Sequence, residues 1–254
     1  MCGRYAVTLA PEVFRQMFGY PEQPNFPPRY NIAPTQPIAI VRMKEGRREF
    51  ALVRWGLLPS WVKDPKDFAL VINARGESVL DKPAFRAAMN RRRCLIPADG
   101  FYEWKAAGKG KQPHFIRRKD GAPFAFAGLW ECWTGPNGEE LETAAIVTTS
   151  ANRDLAPIHE RMPVVVPADA FALWLDPNVD EKTAASLIAP AQNDLFEAYP
   201  VSTAVNRVAN DNAELVARFD GPPAPAPRQA APKKAAAAPA TRKPPKDDGQ
   251  ASLF

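Results

Sequence analysis

Short apolar, β-branched runs broken by polar turns recur along the chain up to about residue 220. IAIVR at 38–42 and FALVRW at 50–55 flank the polar segment KEGRRE and predict a hairpin. Further strands are predicted at CLIPA 94–98, FYEW 101–104, HFIRR 114–118, PFAFAGLW 123–130, TAAIVTT 143–149 and PVVV 163–166. Helical spacing appears at Val13, Phe14, Met17 and Phe18 behind Pro11. It recurs at PAFRAAMN 83–90, ADAFALWL 168–175 and EKTAASLI 181–188, the last behind Asp180 as N-cap. Strands outnumber helices and do not alternate with them. The pattern therefore predicts an α+β fold: a strand-rich single domain with a mostly antiparallel, barrel-like sheet and peripheral helices.

From Gly221 the pattern stops. Residues 221–254 hold eight Pro and ten Ala, with no aromatic before Phe254. Such a segment buries too little apolar area to offset its ordering entropy, so a body at 1–220 and a disordered tail at 221–254 are expected. The split also changes the meaning of the charge. The whole chain has 33 Lys+Arg against 28 Asp+Glu, a net of +5. The tail holds six of the basic and two of the acidic residues, leaving the body 27 against 26, or +1. A basic protein adhering to nucleic acid through its net charge is thus a poor description of the body.

Composition excludes other classes. At 46% hydrophobic and 24% charged the body can bury a core. No apolar run approaches the roughly 18–20 residues of a membrane span, and MCGRYAVTLAPEVF has no basic region followed by an apolar one. Three cysteines, at 2, 94 and 132, form neither a disulfide framework nor paired zinc-ligand spacing. The expectation is a cytoplasmic protein with no metal and no cofactor.

The candidate chemistry starts at Cys2. Loss of Met1 would leave a cysteine with a free α-amine beside its thiol. Both groups titrate within about 1.5 units of neutrality, so both carry nucleophilic fractions. A 1,2-aminothiol attacks an aldehyde through nitrogen and closes through sulfur to a thiazolidine; the thiol alone can instead attack an acyl group. A cysteine second in the chain by chance is the plain alternative. His159 lies in PIHERMP, a loop between two predicted strands, whereas His114 lies within one. Glu103 is the odd residue among the aromatics of GFYEW; buried it would be a general acid near neutrality, facing outward an ordinary strand residue. Asn73 and Arg75 in INARGES begin a loop rich in hydrogen-bonding groups, where a turn with a surface arginine is the plain reading. Trp55, Trp61, Trp104 and Pro34 interleave with Arg4, Arg54, Arg75, Arg153 and Arg161, a composition suited to single-stranded nucleic acid. The triplet Arg91-Arg92-Arg93 reads as a charge cluster at a helix C-terminus.

Together, MCGRYA, RYNIAPTQP at 29–37, RWGLLPSW at 54–61, INARGES at 72–78, RCLIPADGFYEWK at 93–105, TTSAN at 148–152, IHERMPVVV at 158–166 and PVSTAVNRV at 200–208 resemble, in order and spacing, the SRAP family of SOS-response-associated peptidases, or abasic-site-processing proteins. The resemblance covers residues 1–210. It implies a single α+β domain with a barrel-like core and a cationic DNA channel. It also implies that Cys2, freed of Met1 by autocatalysis, captures the ring-opened aldehyde of an abasic site in single-stranded DNA. Asn73 matches the residue holding the cysteine's amine and carbonyl, Glu103 the proton shuttle, and His159 the histidine assisting imine formation and reversal. Arg75 and Arg161 match phosphate-gripping arginines, Arg4 a further phosphate contact, and Pro34, Trp61 and Trp104 the surfaces flanking the strand. Asn206-Arg207 departs from the family pattern.

Three other readings compete. A class II glutamine amidotransferase also begins Met-Cys-Gly, but its downstream motifs are missing. A cysteine peptidase pairing Cys2 with His159 would turn over peptides, and a non-covalent single-strand-binding module would survive loss of Cys2. The tail ends in QASLF, which resembles peptides that dock on the bacterial β sliding clamp, with Gln250 anchoring and Leu253-Phe254 filling a pocket. The expected molecule is a monomer near the nucleoid, with single-stranded DNA carrying abasic sites as partner.

Overall fold

The computed structural model describes residues 2–108 and 110–221. The tail beyond 221, with its QASLF, lies outside the described residues. Thirteen strands run in chain order: β1 Tyr5–Val7, β2 Arg29–Ile32, β3 Pro37–Lys44, β4 Arg47–Trp55, β5 Asn73–Arg75, β6 Arg93–Ala98, β7 Gly100–Ala107, β8 Gly110–Arg118, β9 Phe124–Thr134, β10 Glu140–Ser150, β11 Arg161–Pro163, β12 Val165–Val166 and β13 Phe196–Pro200. Four α-helices accompany them: α1 Pro11–Phe18, α2 Pro83–Arg91, α3 Phe171–Leu175 and α4 Glu181–Ala185.

The strands make two bodies. In the first, β10 pairs with β4, β4 with β3, β3 with β6, β6 with β9, and β9 with β10 again, closing a five-strand barrel. β5 and β11 extend β10, and β12 extends β9. The second is an open antiparallel sheet in the order β13-β8-β7-β1-β2. Among the described residues only the β10–β4 and β10–β5 contacts are parallel, so the expected strand-rich, mostly antiparallel, barrel-like α+β fold is what forms.

Local chemistry explains the elements. The 37–55 hairpin turns at Glu45-Gly46, both with positive φ, a tighter turn than KEGRRE implied. α1 starts on Pro11, buries Phe14 and Phe18, and ends on Gly19 in the left-handed conformation that favours glycine. Phe18 stacks on Phe171 of α3, and Trp174 of α3 donates to the Cys94 carbonyl (2.8 Å), fixing that helix on the barrel. Asp180 caps α4 through the N–H groups of Lys182 and Thr183. Arg93 is not part of a surface charge cluster. It is 3% exposed, and its guanidinium meets the carbonyls of Met89, Asn90, Trp174, Asp176 and Val179, tying α2 to α3.

The main core fills the barrel and its seam with the open sheet. Tyr5 of β1 sets its ring edge-on to Trp55 and Phe126, so the N-terminal strand is packed into the barrel's own aromatic cluster. A smaller cluster of Tyr102, Phe115, Tyr199, Val201 and Leu215 covers the other face of the open sheet.

Candidate active site

β1 places Cys2. It pairs with β7 through Tyr5↔Phe101 and Ala6↔Gly100, and the Tyr102 N–H donates to the Arg4 carbonyl (3.0 Å). Continued toward the N-terminus, this register runs Cys2 alongside Glu103 and Trp104. The buried Asp99 carboxylate holds β1 there, accepting from the backbone N–H groups of Thr8 and Leu9 at the strand's far end. On β7, a Cβ at Gly100 would stand 2.0 Å from the Phe115 ring of β8, so that position takes glycine.

Cys2 is fully buried. Burial first, and the charge of Glu103 second, push its thiol well above the usual cysteine range. The resting form is therefore the thiol, not the partly ionised group expected from an unperturbed cysteine, and ionisation must be coupled to a nearby base. Glu103 is 4% exposed and shares the barrel side of β7 with Phe101, while Tyr102 and Trp104 face the smaller cluster. Its carboxyl is pushed up by burial, opposed by the His159 charge and by the Trp104 N–H. The outward-facing alternative for Glu103 is thereby excluded.

Asn73 reaches the same point from the barrel. It does not begin a loop: it opens β5, parallel to β10 through Ile146↔Asn73 and Thr148↔Arg75. Its Nδ2 donates to the Cys2 carbonyl (3.0 Å), and its Oδ1, buried, has no hydrogen-bond partner among the described residues. His159 stands two residues before β11, where the Arg161 backbone N–H donates to its Nδ1 (3.0 Å). The Arg161 carbonyl lies 3.2 Å from the same nitrogen, so the ring tautomer sets which of the two Nδ1 engages. Cys2, Asn73, Glu103 and His159 thus converge on the seam between the two sheets.

The surrounding residues divide. Arg75, at the end of β5, is exposed. Arg161 is largely covered and forms a two-pronged ion pair with Glu77 (2.9 Å each) while donating to the Thr148 carbonyl (2.9 Å). Arg4 is half-buried; its Nη1 donates to Asn31 Oδ1 (2.6 Å) and the Val205 carbonyl (2.7 Å). Trp104 is half-buried and held through its indole N–H by Asn206 (2.8 Å), with the Arg4 guanidinium 5.9 Å from its ring centre. Pro34 is half-buried in the turn after β2. Trp61 is 58% exposed and belongs to a separate patch, edge-on to Phe68 beside the Leu58–Val62–Trp133 cluster. His114 pairs across from Glu103 in the β7–β8 ladder and binds the Gln112 carbonyl. Glu77, Asn31 and Thr148 were not singled out in the sequence, and Asn206 was noted there only as a departure from the family pattern. Their polar side chains carry no local signal, and only the tertiary fold gives them partners.

The SOS response associated peptidase (SRAP) family model matches residues 1–208. The chain belongs to the SRAP family. Among its relatives, abasic site processing protein YoaM of Bacillus subtilis is 41% identical over 221 residues, covering 85% of this chain and 97% of that protein. Abasic site processing protein YedK of Escherichia coli is 33% identical over 226 residues, covering 85% and 99%. Abasic site processing protein HMCES of Gallus gallus is 34% identical over 261 residues, covering 85% and 77%. A crystal structure of a Bacteroides thetaiotaomicron protein superposes with a TM-score of 0.79 at 26% identity, covering 86% of this chain and all of that one. The barrel with its attached open sheet is therefore the SRAP fold, and no helix among the described residues is long and apolar enough to cross a membrane.

Proposed function

We propose that the protein processes abasic sites in single-stranded DNA by covalent capture on Cys2, once hydrolysis of the Met1–Cys2 peptide bond has freed the α-amine. The observation that carries this reading is Asn73 holding the Cys2 carbonyl at 3.0 Å beside a buried carboxyl whose ionisation is suppressed. A protonated Glu103 supplies the acid for opening the sugar: O4′ takes its proton as the C1′–O4′ bond breaks, and the C1′ hydroxyl releases its own to leave an aldehyde. The Cys2 amine adds to that carbon, and the resulting hydroxyl departs as water with a second proton, giving an imine. The thiol then gives up its proton, relayed by the Glu103 carboxylate or His159 to the imine nitrogen, as sulfur bonds to the former aldehyde carbon and closes the five-membered ring. Aldehyde plus aminothiol gives thiazolidine plus one water. The raised thiol pKa favours this order, since sulfur ionises only at the last step, when a base has been generated beside it. Relatives named abasic site processing proteins support the substrate class.

Arg75 is the phosphate contact this reading favours, because it is exposed at the site's edge. Trp104, Pro34 and Trp61 would offer stacking or wedging surfaces, and Arg161 and Arg4 secondary contacts. To test the reading, the protein is incubated with single-stranded DNA containing an abasic site or an intact base and run on a denaturing gel. An abasic-specific adduct, absent in Cys2→Ala, is expected. Binding that survives Cys2→Ala without any adduct would leave a passive binding module, and turnover of unrelated peptides would leave a cysteine peptidase. From sequence alone we also infer that Gln250, Leu253 and Phe254 dock the chain on a β sliding clamp. Deleting Leu253-Phe254 should abolish a clamp pull-down without changing adduct yield; an unchanged pull-down would refute it.

A further inference from the structure

The geometry points to Glu77 as a positioning residue for His159, acting through Arg161. This inference rests on the covalent-capture reading for its kinetic consequence but not for its geometry. β10 lies between β5 and β11, with Thr148 opposite Arg75 on one side and Pro163 on the other, and Ser150 opposite Arg161. Glu77 sits in the turn just after β5, and Arg161 opens β11, so their ion pair bridges over β10. The turn packs closely on β10: a Cβ on Gly76 would fall 2.3 Å from Ile188 and 3.2 Å from the Thr148 carbonyl, so glycine is needed there.

Three of the five guanidinium N–H groups are committed. Its Nη1 and Nη2 each donate to one Glu77 oxygen, Nη2 also donates to the Thr148 carbonyl, and Nε is buried without a hydrogen-bond partner. One Nη1 hydrogen remains for any other acceptor, which makes Arg161 a strap before it is a phosphate grip. The same residue's backbone N–H holds His159 Nδ1. Glu77 therefore links the strand that presents Asn73 to the segment that presents His159. It also neutralises the cation next to the imidazole. An ordinary exposed ion pair contributes little and affects nothing else; Arg161, with 15% of its side chain exposed against 57% for Glu77, makes this one asymmetric.

The experiment compares Glu77→Ala, Glu77→Gln, His159→Ala and the Glu77→Ala/His159→Ala double variant with wild type. Single-turnover adduct formation is measured at saturating protein, alongside Kd for intact-base single-stranded DNA. Glu77→Ala should slow the reaction about 10-fold, within the range that a displacement of about 1 Å costs. Glu77→Gln, keeping one acceptor, should recover part of the loss, and Kd should change less than about 3-fold. On the His159→Ala background the Glu77 substitution should change the rate by less than about 2-fold, because the two act as one unit. With only two histidines in the chain, imidazole NMR supplies a second readout that needs no adduct: in Glu77→Ala the His159 cross-peak should move while that of His114 stays. If wild type forms no adduct, covalent capture fails and the NMR still decides the strap. An unmoved His159 cross-peak, equal slowing on both backgrounds, or faster capture with tighter DNA binding in Glu77→Ala would each overturn it, the last by making Glu77 a competitor of phosphate.

Discussion

The open sheet and the barrel contribute to the site in different ways. The open sheet brings Cys2 and Glu103, at 0% and 4% exposure, from the chain just ahead of β1 and from the middle of β7. The barrel brings Asn73 and Arg75 from the two ends of β5, Arg161 from the start of β11, and His159 from the loop before it, all half-buried or exposed. Burial at the packed seam displaces the pKa values of Cys2 and Glu103, whereas Asn73, His159 and Arg161 at the strand ends are fixed by directional hydrogen bonds. The buried pair is suited to moving protons and forming bonds, and the barrel's group to holding the reactants in register.

Breaking the open-sheet half should have the largest effect. Glu103→Gln removes the acid and should slow adduct formation by about 10²–10⁴-fold, measured as single-turnover rate on abasic DNA. In wild type the same rate should fall as pH rises through the raised Glu103 pKa, and Glu103→Gln should lose that dependence. The variant should also be more stable at neutral pH. Above the ordinary glutamate value of about 4.3 the unfolded carboxyl is ionised while the buried one retains its proton, so native stability falls with rising pH across that interval. Thermal melts should show the advantage of Glu103→Gln fading as pH drops below about 4.3.

Breaking the barrel half should cost less. Asn73→Ala leaves both reacting groups present but unheld, and should slow capture by about 10–100-fold with Kd for intact single-stranded DNA nearly unchanged. Equal losses in Asn73→Ala and Glu103→Gln would erase the distinction between the two regions. Arg75→Ala should weaken single-strand binding while leaving the saturated rate alone, and should lower the slope of log K against log salt by about 0.7. The smallest effect is expected for Asn206→Ala. It frees the Trp104 ring without removing it, so binding should weaken by less than the roughly 1–3 kcal/mol of a lost base-stacking contact, read by fluorescence titration against Trp104→Ala.

Legibility in the sequence followed the length of each element. β3, β4, β9 and β10 are strands of 8–11 residues whose apolar stretches were readable, as were α1 and α2 from their spacing and prolines. β1, β2, β5 and β13 have 3, 4, 3 and 5 residues, too short for alternation to register, and they exist because longer strands receive them. Two of these short strands bear on the site, so its assembly was hidden even though its side chains were conspicuous. Cys2, Glu103 and His159 stood out by position, by an acid among aromatics and by scarcity. That Glu103 faces inward depends on β1 entering beside β7, and that Asn73 touches Cys2 depends on β5 joining β10. The ion pair between Glu77 and Arg161 spans 84 residues and left no trace in either local segment.

The most direct measurement is the intact mass of the denaturant-stable adduct together with that of its N-terminal peptide. Capture by the Cys2 aminothiol predicts the protein without Met1, plus the abasic strand, minus one water, with the attachment on the peptide that begins at Cys2. An adduct that retains Met1, or that maps to any other peptide, would contradict it.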